Sequence, residues 1–66
     1  MAPASPDYSE LSSISATIEA VTRRVSGIAE RADRGGEESV AAELFAVERA
    51  LDGAQRRLSR MLKRGS

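Results

Sequence analysis

The side chains able to do chemistry in this chain are carboxylates, guanidinium groups and hydroxyls. The 66-residue sequence carries ten acidic and ten basic residues, no histidine and no cysteine. Without those two residue types, Cys/His zinc sites and Ser–His or Cys–His nucleophilic pairs cannot form. The carboxylates Glu19, Glu30, Glu43 and Glu48 are the remaining candidates for acid–base work. All four fall off the apolar stripes described below. The Glu-x-x-His pattern that holds metals in helical bundles also needs a histidine. The sequence therefore predicts no catalytic residue, no metal site and no cofactor, and the chain reads as non-enzymatic.

The densest cluster of charge is RRLSRMLKR, residues 56–64, with Arg56, Arg57, Arg60, Lys63 and Arg64 and no acid after Asp52. Five cations in nine residues suit phosphate contacts on a nucleic acid or an anionic membrane surface. They equally complement the negative end of a helix dipole, and no aromatic residues interleave for base stacking. Net charge is zero, so the chain as a whole has no electrostatic pull toward polyanions. Dipole complementation is the reading adopted, with anion contact by these five residues as the alternative.

These groups must be positioned by helices. From Leu11 the apolar residues are Leu11, Ile14, Ile18, Val21, Val25, Ile28 and Ala32, at spacings of 3, 4, 3, 4, 3, 4. That is a heptad stripe, with a positions at 11, 18, 25 and 32 and d positions at 14, 21 and 28. After Gly35-Gly36 the stripe resumes at Val40, Leu44, Val47, Leu51, Ala54, Leu58 and Met61 in the mirrored order. The two stripes align about Gly36, as antiparallel helices require. The sequence predicts an all-α fold: an antiparallel two-helix hairpin with helix 1 over about 6–34, a turn at 35–36 and helix 2 over about 37–64. Residues 1–5 and 65–66 are expected to be tails. Gly35 is expected to take the left-handed conformation that closes helix 1, and Gly36 to open helix 2. Glu37 and Glu38 then sit in the first turn of helix 2, favoured by its dipole.

The flanks follow from the same register. Across the g edge Arg31 faces Glu43 and Glu10 faces Arg64; along the helices Glu19–Arg23, Glu30–Arg34 and Asp52–Arg56 lie four apart. Gly27 and Gly53 occupy c positions inside the helices, either tolerated there or admitting a neighbouring helix. With the seam at a and d, the e edge is left uncovered. It carries Tyr8, Ser15, Thr22, Ala29, Ala41, Glu48, Gln55 and Leu62, with Phe45 just beyond. An edge with a single charge, bordered by an aromatic, suits a second helical surface. Tyr8, Ala29, Ala41, Phe45 and Leu62 are accordingly the predicted interface.

A chain this short buries a modest core. Having no cysteine to form a disulfide, it gains most from doubling. The expectation is a homodimer, a four-helix bundle formed along the e edges, acting as a small interaction or oligomerisation module that binds another protein. Nucleic-acid association is the alternative function. No apolar run approaches membrane-span length, and the MAPASP start has no signal-peptide pattern. Nine of the ten basic residues are arginine, a bias typical of a GC-rich bacterial genome. The cytoplasm is the expected location.

Overall fold

The computed structural model describes residues 4–65 and contains two helices packed against each other as a hairpin. Helix α1 runs Ala4–Arg34 and helix α2 runs Glu38–Gly65. The molecule is a rod of 54 × 14 × 12 Å. The start of α1 corrects the expected tail: Ala4 and Ser5 are already helical. Pro6 then lies in the first turn, where its missing N–H would have had no partner within the helix. Gly65 is likewise the last residue of α2. The tail expectations for residues 1–3 and Ser66 lie outside the described residues.

The turn is built from backbone hydrogen bonds. Glu37 N–H donates to Ala32 C=O at 2.9 Å and Gly36 N–H donates to Asp33 C=O at 3.2 Å. This paired pattern is a Schellman closure, in which the first of the two donor residues along the chain takes a left-handed conformation. That residue is Gly36, with φ +82°, and no other residue among those described has positive φ outside glycine. The expected assignment of this role to Gly35 is therefore corrected by one residue. Gly35 N–H still donates to Arg31 C=O at 2.9 Å, continuing the α1 pattern. Glu37 C=O accepts from Ala41 N–H at 2.9 Å, which makes Glu37 the N-cap residue of α2. Only Glu38 occupies the first turn proper.

The expected register holds across the hairpin, but each helix is turned about its own axis. Gln55 Nε2 donates to Ser15 Oγ across the seam at 3.0 Å. The pair joins two e positions, and the same register sets Thr22 opposite Glu48 and Ala29 opposite Ala41. The buried residues among those described are Ser15, Thr22, Ala29 and Ala41, all at e. The a residues Leu11, Ile18, Val25, Leu44, Leu51 and Leu58 are half-buried. The seam therefore centres on e, not between a and d. At about 100° per residue this is a rotation of roughly 70° for each helix.

Side-chain size explains the rotation. Two helices pack to maximise contact, and interaxial distance depends on the residues between them. Serine, threonine and alanine at e let the backbones approach closely where leucine or isoleucine would hold them apart. The polar members of the seam find bonds: Thr22 Oγ1 donates to Ile18 C=O at 2.7 Å, and Ser15 Oγ accepts from Gln55. Gln55 Oε1 is buried without a partner, which offsets part of the gain from its amide nitrogen.

Candidate interaction surface

The rotation has a consequence for the d residues. Ile14 is 44% exposed, Val21 40% and Ile28 46% on α1; Val40 is 46% exposed and Val47 44% on α2. Met61, at the far end of the same row, is also exposed. Because the helices are antiparallel and meet at e, the d rows of both lie on one side of the hairpin. Between them run the half-buried a residues. The result is a continuous apolar face two helices wide, with d–a–a–d across it, extending most of the length of the rod. Its rims are the g positions, where Glu10, Arg24, Arg31, Glu43, Arg57 and Arg64 are all exposed.

The opposite face is polar. A shallow, open groove of about 350 Å³ is lined there by Thr22, Arg23, Ser26, Glu48 and Asp52 among others. Arg23 Nη1 and Glu19 Oε2 form an exposed ion pair 3.5 Å apart within α1. The other expected pairs, Arg31–Glu43, Glu10–Arg64, Glu30–Arg34 and Asp52–Arg56, do not close to 4.0 Å. Long exposed side chains gain little from such contacts against the entropy of holding them. Among the described residues no three His, Cys, Asp or Glu side chains gather as a metal-binding group.

For two of the five predicted interface residues the expectation is corrected. Ala29 is 0% exposed and Ala41 2%; both lie inside the hairpin and are not open to a second molecule. Tyr8, Phe45 and Leu62 are half-buried along the seam and its polar flank. The e edge is already used by the fold. The surface left open is the d row, which the heptad pattern predicts in the core. A signal for this is present: three of the four e residues of α1, Ser15, Thr22 and Ala29, are small, Tyr8 near the open end being the exception. A run of small side chains at one heptad position marks a close helix–helix contact, and hydrophobicity alone does not detect it.

The five basic residues Arg56, Arg57, Arg60, Lys63 and Arg64 are all exposed. They occupy c, f and g positions, so they form one outward band on the last turns of α2, beside the rim of the apolar face and not on it. Gly27 and Gly53 do not mark a close approach within the hairpin. A Cβ on Gly53 would meet nothing within 4 Å, and one on Gly27 only Arg31 Nη1 at 3.6 Å.

No helix among the described residues is long and apolar enough to cross a membrane. No protein-family model matches the chain, and no curated protein or solved structure is similar to it at a significant level.

Proposed function

We propose that this chain is a small non-enzymatic oligomerisation and protein-interaction module whose apolar d–a–a–d face packs on a second copy to make a four-helix bundle. The observation that supports this most is the row of large aliphatic residues left 40–46% exposed on one face. Scattered apolar residues on a surface are ordinary, but a contiguous apolar face with a charged rim fits a binding surface. Covering each half-exposed aliphatic side chain contributes about 1 kcal/mol, half of what full burial gives. Five or six such residues from each copy, together with the a residues beneath them, are set against the loss of rotational and translational freedom on association. Four helices packed around an apolar centre are the standard way for short helical chains to complete a core.

The dimer keeps its place in this reading, but its surface moves. The e edges join the two helices of one chain; the d rows join two chains. Sedimentation equilibrium checks the reading. The expected mass is twice 7.1 kDa, with a melting temperature that rises with protein concentration. A helical species of 7.1 kDa at concentrations well into the micromolar range would refute it.

A second reading, contact with nucleic-acid phosphates, draws on the common exposed face of the five basic residues at the end of α2. It requires a shift of duplex DNA or RNA that weakens steeply with salt and is lost when Arg57, Arg60 and Lys63 are changed together to glutamine.

A further inference from the structure

We infer that the second copy lies head to tail on the first, with its Gly35-Gly36 turn beside the first copy's open end. This rests on the proposed bundle and adds its orientation, which the apolar face alone does not set.

A two-fold axis can place two such faces together in two ways. With the axis along the rod, both turns lie at the same end. With the axis across the rod, the turns lie at opposite ends. Every helix has antiparallel neighbours in either case, so helix dipoles do not choose between them.

The rims do not choose either. With turns together, the g residues pair Glu10 with Arg64 and Arg31 with Glu43 across the copies. Head to tail, they pair Glu10 with Arg31 and Glu43 with Arg64. Both arrangements match opposite signs.

The ends of the rod do choose. Around the turn, residues 30–43 hold five carboxylates (Glu30, Asp33, Glu37, Glu38 and Glu43) against two guanidinium groups (Arg31 and Arg34), an excess of three negative charges. At the open end, residues 7–14 and 56–64 hold Asp7 and Glu10 against five cations, an excess of three positive charges. The middle of the rod is balanced, with Glu19, Glu48 and Asp52 against Arg23, Arg24 and Arg49. These end groups are all exposed. Each hairpin is thus a charge dipole along a 54 Å rod.

Turns together would set the basic ends side by side and the acidic ends side by side. Head to tail sets each acidic turn against a basic open end. The separation of adjacent helices in a bundle is near the Debye length at ~0.1 M salt, so the difference is felt at physiological ionic strength and fades above it. Like-charge juxtaposition is the ordinary means by which proteins reject a wrong pairing of otherwise compatible surfaces. The basic band of α2 then has a use within the assembly: it lies at the same end of the bundle as the partner copy's acidic turn, with Arg57 and Arg64 on the rim nearest to it.

The sequence contains no cysteine, so one introduced thiol gives one spin label per chain. Ser39→Cys places it on an exposed outward position in the first turns of α2. Dipolar spectroscopy at low salt then reads two things separately. The depth of the dipolar signal reports whether copies associate, and the distance reports how. Head-to-tail packing predicts a label separation of about 40 Å, from the helical rise over the intervening residues. A separation of about 30 Å or less, the width of the bundle across its diagonal, would place the turns together and overturn the orientation while leaving the bundle standing. Absence of any dipolar signal at a concentration where the chain is helical would overturn the bundle itself, and the orientation with it.

Discussion

Two neighbouring rows of residues run the length of this hairpin, one position apart in sequence and about 100° apart around each helix. Ser15, Thr22, Ala29 and Ala41 belong to the e row and are its buried members; Ile14, Val21, Ile28 and Val40, each the residue just before, belong to the d row and are 40–46% exposed. The more hydrophobic row is the one left outside. Two helices alone cannot enclose a pair of wide apolar stripes, and they gain most by closing on the row that lets them approach. What remains is an apolar face open to a further helical surface. Internal folding uses small size, and the proposed assembly would use hydrophobicity.

The largest effect should come from charging the outer row. Val21→Glu combined with Val47→Glu puts carboxylates on the face proposed to be buried between copies, where an unpaired charge is costly. Self-association should weaken by ~100-fold or more, read by sedimentation. Phe45→Glu, on the polar flank of the seam, should weaken it far less. Equal losses from the two would erase the distinction between the faces.

Enlarging the inner row comes next. Ala29→Leu inserts extra volume where exposure is 0%, and overpacking a close contact costs about 1–3 kcal/mol. For a domain of this size that lowers the melting temperature by several degrees per kcal/mol. Unchanged melting would mean that the e row is not the seam.

The turn sharpens the same picture, because it fixes how the rows face each other. Gly36→Val places a β-branched residue at φ +82° and should destabilise by about 1–2 kcal/mol. Gly35→Ala should cost less: its Cβ would lie 3.3 Å from Arg31 C=O, tight but within reach of a small adjustment. Thermal melts of the two variants at one concentration give the order.

The smallest expected effects have the opposite sign. Gly27→Ala and Gly53→Ala fill open space within helices and should each stabilise by up to ~1 kcal/mol. They lie on neither row, so self-association at a given degree of folding should be unchanged.

The hairpin and its register were legible because mirrored heptads admit one antiparallel alignment, and the Ser15–Gln55 bond lies in it. The rotation about each axis was not read. A hydrophobicity pattern weights isoleucine and valine at d above alanine, serine and threonine at e, whereas the close contact is decided by volume. For that reason Ala29 and Ala41 were expected on an open surface and lie inside. The turn is legible at Gly35-Gly36, but which of the two is left-handed is not. Two adjacent glycines both tolerate positive φ, and only the acceptance of Gly36 and Glu37 N–H by Asp33 and Ala32 fixes which of them uses it. The exposed ion pairs were placed from spacing alone, and spacing does not overcome the freedom of long side chains in water.

Thiol accessibility tests the central contrast most directly, since the chain has no cysteine of its own. Thr22→Cys reports the inner row and Val47→Cys the outer row, each alone, reacted with a water-soluble thiol reagent across a dilution series. Reaction rate follows exposure when the thiols are otherwise comparable. The expected result is a Thr22→Cys thiol that is protected at every concentration where the chain is helical. The Val47→Cys thiol should react readily when dilute and become protected as the concentration rises. A Val47→Cys thiol protected at all dilutions, with Thr22→Cys open in the dilute chain, would restore the a/d seam and contradict the account.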